Sequence, residues 1–336
     1  MAIYGAVPLL VSQVVGYQGD TTLNGAAAKQ LNAVAVASPT INSQLCMIAL
    51  AKSGAAQGIR TNGSPTGDLN GCDIMSNTGA QCNGSNLNAG HGIAAGTSNG
   101  CGNVQDSGVD PLQDPYAYLA GKIPALSSSP CPANSPSYPQ ETTHGNTVNP
   151  PTTLVPGAFT LNPNPSTGVP VTSLTLGSGN NFMCGDQVLT ADAVINTPGG
   201  PAVLVIENGQ LDLNGHSLTT ADGSAVTLVF SGSADSGGNH YLHAPTDNTN
   251  GSGGRLDLTA PTSGDWSGVA IYQDPNLTSG LDVSAAGNSP TWDVTGLIYM
   301  PHASVTLKGA IDKGTNGNKC VVLVADNFTI SGNGGM

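Results

Sequence analysis

The chain has 336 residues, with 46 glycines, 23 prolines, 4% aromatic and 9% charged residues. A helix bundle needs far more Glu, Lys, Arg and Leu, so the composition points to an all-β protein rich in turns. Eight basic residues stand against 21 acidic ones, a formal charge of −13. The basic ones are scattered, which gives no patch for nucleic acid.

The first stretch, "MAIYGAVPLLVSQVVG" (1–16), is apolar but too short to span a bilayer, and it lacks a preceding positive segment or a small-residue cleavage site. No membrane span is expected in this chain, and if the protein is exported its signal was removed from this sequence or lies upstream of it. Residues 1–45 form an apolar, Ala-rich segment in which "NGAAAKQLNAVAVA" (24–37) is compatible with helix or strand. Residues 46–123 read as very short strands with tight turns, because brief apolar pieces such as "CMIAL" alternate with Gly, Asn and Ser. Residues 124–183 are a Pro-rich connector: 11 prolines fall within 124–170, and proline's missing amide donor and fixed φ stop a regular sheet from running through it.

Seven cysteines, none in a Cys-x-x-Cys pattern, argue for disulfides outside the cytoplasm. The candidates are Cys46, Cys72, Cys82, Cys101, Cys131 and Cys184, with local pairs such as Cys82 with Cys101 and Cys131 with Cys184. An odd count that includes Cys320 leaves one thiol over.

Residues 184–336 form the most regular part, a β-helix domain. Short strands such as "VLVIE", "AVTLVFS", "RLDLTA" and "GVAIYQ" recur, read with one face in and one face out. Asn208-Gly209, Asn214-Gly215 and Asp222-Gly223 follow one another at intervals of six to eight. Such a cadence fits corners of a solenoid better than hairpins of a sandwich. The expected architecture is a right-handed parallel β-helix in the C-terminal half. In it Leu211, Leu213 and Leu218 point inward, with Asp212 and His216 outward or at a corner. One coil burying a few leucines gains only about 5 kcal/mol, too little to order itself alone, so several must stack.

The strings "CMIALAKSG" and "GDLNGCDIMSN", then "VLVIENGQLDLNGHSL", "VTLVFSG", "RLDLTAPTSGDWSGVAIYQDP" and "VTGLIYMPHASVTLKG", carry a resemblance. Across residues 33–336 the chain resembles the extracytoplasmic part of TadG-like proteins of the bacterial Tad (tight adherence, Flp-type) pilus system. The resemblance implies a cell-surface or secreted structural or adhesion protein, with pilus or cell-envelope proteins as partners. Two departures are visible. The N-terminal membrane helix usual in that group is missing from this chain, and "DVSAA" (282–286) lacks the second serine of a metal-dependent adhesion motif.

β-Helices also host enzymes acting on polysaccharides, so carboxylate pairs matter. Asp257, Asp265, Asp274, Asp282 and Asp293 are the candidates, and Trp266 and Trp292 are the side chains able to stack on sugars. The binding set for a surface glycan is Trp266, Trp292, Asp265 and Asp274; the competing expectation is that aspartates at strand ends cap turns. Arg255 and Asp257 share a strand face, as a catalytic base and ligand or as a surface ion pair. His240 and His243 lack a third metal ligand, and "DNTNG" (247–251) begins like a calcium loop without its closing glutamate, so no cofactor is expected beyond weak calcium binding. Asp110 and Asp114 read as turn starters.

The leading expectation is therefore a non-catalytic extracellular module. The alternatives are a carbohydrate-binding or polysaccharide-degrading β-helix, and a self-assembling filament subunit whose solenoid ends leave strand edges open.

Overall fold

In the computed structural model the chain divides into two compact units, 1–42 and 43–336. The structure describes residues 2–8, 21–23, 26–34, 45–52, 57–63, 65, 69–83, 86–132, 153–232, 243–246, 254–277, 281–283, 291–307 and 321–332. In the first unit Ala26–Val34 is the central strand of an antiparallel sheet, flanked by Ala2–Pro8 and Thr21–Leu23. Within the alanine-rich stretch whose periodicity left helix and strand open, residues 26–34 thus form a strand.

The second unit is a parallel β-helix, and all its strand pairings are parallel among the described residues. A coil contributes up to three short strands, each stacking on its counterpart in the next coil. The first side runs through Gly179–Cys184, Ala202–Glu207, Val226–Ser231 and Val269–Gln273 into the longer strands Thr291–Leu307 and Val321–Gly332. The second side begins with Gln187–Val188, Gln210–Asp212 and His243–Thr246. Its later part is Leu281–Val283 and the ends of the two long strands. The third stacks Ser173–Thr175, Ala193–Asn196, Ser217–Thr220, Arg255–Thr259 and the start of Thr291–Leu307.

The solenoid does not stop where the chain does. Leu45–Ala49 pairs with the first half of Val321–Gly332, and Ile59–Gly63 with its second half. Beyond this seam the coils at Asp73–Ser76, His91–Ala94 and Val104–Ser107 continue in the same direction. The β-helix therefore reaches past the C-terminal half expected from sequence, and segments 46–107 and 173–332 share one core. It also begins earlier than residue 184, because Ser173–Thr175 and Gly179–Cys184 already belong to it.

One inward row fixes the stacking. Leu204, Leu228, Ile271, Ile298, Leu323, Met47 and Ile74 are successive register partners, and all are buried in the central cluster. Asn181 precedes Leu204 in that row and closes its end, its Nδ2 donating to the carbonyls of Gly177, Gly179 and Val203. At the opposite end the row finishes at Gly92, where a Cβ would collide with the Cys101 carbonyl of the narrowing coil. In these coils cystines fill the interior: Cys46–Cys72 and Cys82–Cys101 each join neighbouring coils, and Cys46, Cys82 and Cys101 are buried.

The corner reading holds in detail. Leu211, Leu213 and Leu218 are fully buried in the central cluster. Asn208, Asn214 and Gly215 take left-handed conformations (φ 52°, 47° and 77°), and Asn214 Nδ2 donates to the Leu189 carbonyl of the preceding coil at 3.0 Å. That bond explains asparagine at a site where glycine would satisfy the backbone equally well. His216 is half-buried at the corner, but Asp212, expected outside or at a corner, is buried, and its Oδ1 accepts the Asn214 N–H at 2.8 Å. Asp212 thus sits at the corner rather than outward, and its burial there has a physical cause, since a carboxylate that bonds the turn's own backbone can stay at a dry corner.

Gly92→Ala should cost about 2 kcal/mol or more through overpacking, read from the denaturant midpoint. Gly121→Ala, where a Cβ meets open space, should stay within about 0.5 kcal/mol.

Candidate functional site

The first side is apolar on both faces. Phe182, Val205, Val229, Tyr272, Tyr299 and Val324 form the outward row in unbroken register, and all are buried. Residues 112–131 cover them. After the last small coil the chain must return to the far end of the solenoid to begin the coil at 173, and this strap is the return path. Leu112, Tyr116, Leu119 and Ile123 pack on the outward row.

Polar clamps hold the strap at intervals. Asn77 Nδ2 donates to the Leu112 carbonyl at 2.9 Å while its Oδ1 accepts the Leu112 N–H at 2.7 Å. The Tyr299 hydroxyl donates to Asp114 Oδ2 at 2.6 Å, and Asp114 Oδ1 accepts the Tyr116 N–H at 2.9 Å, the turn-starting role expected for it. Burial first, then the Asp114 carboxylate, pushes the Tyr299 hydroxyl well above the usual phenol range, so it remains a donor. Lys122 Nζ meets Asp265 Oδ1 at 3.0 Å. Finally Cys131–Cys184 ties the strap to the first complete coil across 53 residues, worth about 4 kcal/mol in a chain-entropy account. Both pairings named from sequence, Cys82–Cys101 and Cys131–Cys184, are present, and Cys46 pairs with Cys72. Cys320 lies outside the described residues.

The strap also decides the fate of the sugar-binding candidates. Trp266 is only 6% exposed and packs edge-on against Tyr272 (centroids 4.9 Å apart), which stacks in turn on Tyr299 at 5.1 Å. It therefore offers no free ring face to a glycan, contrary to the expectation. Asp265 has a 66% exposed side chain and pairs with Lys122 of the strap. Asp274 is buried, accepting the Ser231 hydroxyl at 2.8 Å and the Asn276 N–H at 2.9 Å as a turn cap. Trp292 lies opposite Leu256 in register, and its side chain is outside the described residues, as are His240 and residues 247–251. Asp282 is placed by backbone alone, paired with Thr306.

A carboxylate pair does form on the third side. Asp257 and Asp293 are register partners on adjacent coils, where strands lie about 4.8 Å apart. Arg255 bridges them, its guanidinium 3.1 Å from Asp257 Oδ2 and 3.5 Å from Asp293 Oδ2. The sequence pointed to Arg255 with Asp257, two apart on one strand. It could not supply Asp293, because that neighbour depends on how many residues the intervening coil contains. Among the described residues no group of three or more His, Cys, Asp or Glu is placed to hold a metal ion.

Sequence reasoning passed over His91. Its Nδ1 lies 2.9 Å from Asp106 Oδ2 across the last two coils. This hydrogen bond holds the imidazole above its usual value against opposing desolvation, with Asp73 and the Asp106 charge adding to it. The signal was available only as a spacing of 15 residues, two more than the register step between the last two coils, in which His91 pairs with Val104. A raised folded-state value stabilises the tip fully below the ordinary imidazole value of 6.5, and that contribution is lost as pH rises through the raised value. An NMR titration should find His91 titrating above 6.5, and Asp106→Asn should bring it back down and remove the pH dependence of amide protection in the last coils.

Comparison with models of known protein families, with curated proteins and with solved structures returns no match to this chain.

Proposed function

We propose that this chain is a non-catalytic structural and adhesive module outside the bacterial cytoplasm, associated with a Tad-type pilus or the cell envelope. The observation that carries the reading is where the second unit places its aromatic and cysteine side chains. Trp266, Tyr272 and Tyr299 lock a strap against the coils, and three disulfides staple coil to coil and strap to coil. This investment in rigidity suits a load-carrying or surface-displayed element, and the bridges fit an oxidising compartment. Among the described residues no helix is long and apolar enough to cross a membrane. The resemblance of the strings in 46–77 and 203–309 to TadG-like proteins supplies the pilus association.

Antibody labelling of intact cells tests this directly. Label on the surface or along purified pili, together with loss of surface attachment on deletion, is the expected result. A protein recovered only from the cytoplasm with its thiols reduced would remove the reading.

A second reading rests on Asp257 and Asp293, register partners on strands about 4.8 Å apart, near the roughly 5 Å of paired carboxylates in retaining glycosidases, with Asp257 partly exposed and Asp293 buried behind the surface. If they act on an envelope polysaccharide, Asp257→Asn and Asp293→Asn should each lower reducing-sugar release by about 100-fold or more. If they are only an ion pair with Arg255, neither substitution changes it.

A further inference from the structure

The strap's anchored end rests on a buried carboxylate. Glu207 is the last residue of Ala202–Glu207 and points the same way as Val205, toward the strap. It is 4% exposed. Its neighbours along the outward row are Cys184 on one side and Ser231 on the other. Cys184 is bonded to Cys131 of the strap, and the Ser231 hydroxyl has one proton, already donated to Asp274. From the strap, Ser129 supplies a hydrogen bond to the Glu207 carboxyl. Glu207 Oε2 is buried with no hydrogen-bond partner among the described residues.

Among the described residues the charged groups around this point give no counter-ion. The strap's own charges are Asp114 and Lys122, with Asp110 just before it; Asp114 is bonded to Tyr299, and Lys122 is paired with Asp265. On the coil side the next ionisable group along the row is Asp274, another carboxylate. An ionised Glu207 would thus be a buried charge with a single neutral donor, which is costly.

We propose that residues 112–131 form a pH-gated cover over the outward apolar row, closed while Glu207 is protonated and loosened at its Cys131 end when Glu207 ionises. Burial raises the Glu207 carboxyl above the usual carboxylate value of 4.5, with the Ser129 hydrogen bond opposing. A raised acid value means the folded state holds the proton more tightly than the unfolded one. Closure is therefore strongest at low pH and declines as pH rises from the ordinary value through the raised one. Cys131–Cys184 keeps the loosened strap tethered, so opening is local and reversible. It bares the end of the row at Phe182 and Val205.

Hydrogen exchange of the full oxidised protein, with rates referenced to the intrinsic rate at each pH, tests the proposal. Protection of amides at 123–131 should fall severalfold between acidic and neutral pH. In Glu207→Gln it should stay high and flat, since the amide is neutral at every pH. Amides of the coils at 73–76, remote from Glu207, serve as the internal reference. A wild-type strap whose protection does not change with pH overturns the proposal, and so does a Glu207→Gln strap that loosens like wild type. Ser129→Ala supplies a second arm: removing the donor should shift loosening to higher pH, and an unchanged midpoint would count against Glu207 as the gate.

Discussion

Coil-on-coil stacking of one inward aliphatic row is the constraint on which the second unit depends. A single coil encloses too few apolar atoms to offset the entropy of ordering its turns, so each coil is stable only as a neighbour of another. The row from Leu204 to Ile74 passes through the seam between Leu323 and Met47 without a change in residue class. Chain connectivity is thus irrelevant to the core, which sees a continuous column. The ends of the column are where the rule must be broken, and there polar or small groups take over: Asn181 satisfies three carbonyls at one end, and Gly92 with the Cys82–Cys101 bridge fills the narrowing interior at the other.

The seam has consequences for the rest of the architecture. Because coils 45–107 sit beyond the last coil of the chain, the backbone must travel back along the solenoid before it can begin again at 173. That return segment needs a surface to lie on. The first side provides it, with a second apolar row facing outward, and Tyr272, Tyr299 and Trp266 give the strap a stacked aromatic bed. Long-range pairing between Val321–Gly332 and Leu45–Ala49 also requires most of the chain to be present before the first coils can dock. Disulfides that join the small coils to one another and the strap to Cys184 reduce the entropy of that late event.

This packing bears on function by removing candidates. Trp266, an isolated aromatic in the sequence, belongs to a buried cluster and packs on Tyr272, and Asp274 caps a turn. On the third side Arg255 is exposed and Asp257 partly so, and the guanidinium reaches past Asp257 to Asp293, which is buried.

The sequence by itself determined the all-β class, the solenoid, its corners and two of the cystine pairs. Most of these are local properties: Asn-Gly spacing sets where the backbone bends, alternating leucines set what faces in, and Cys82 meets Cys101 across one coil, whereas Cys131 reaches Cys184 from the strap 53 residues away. A clue to the strap was also present, because "VLVI", "LVF" and "LIYM" are unbroken apolar runs, the pattern of strands buried on both faces, whereas "RLDLT" alternates. Only the tertiary structure decided the rest. Which coil follows which, that 45–49 docks on 321–325, that Asp293 lies beside Asp257, and that Glu207 and Trp266 are covered, all depend on loop lengths and on a segment arriving from far along the chain. Periodicity within one strand carries no record of its neighbour, since the stacking energy that selects the neighbour belongs to the pair.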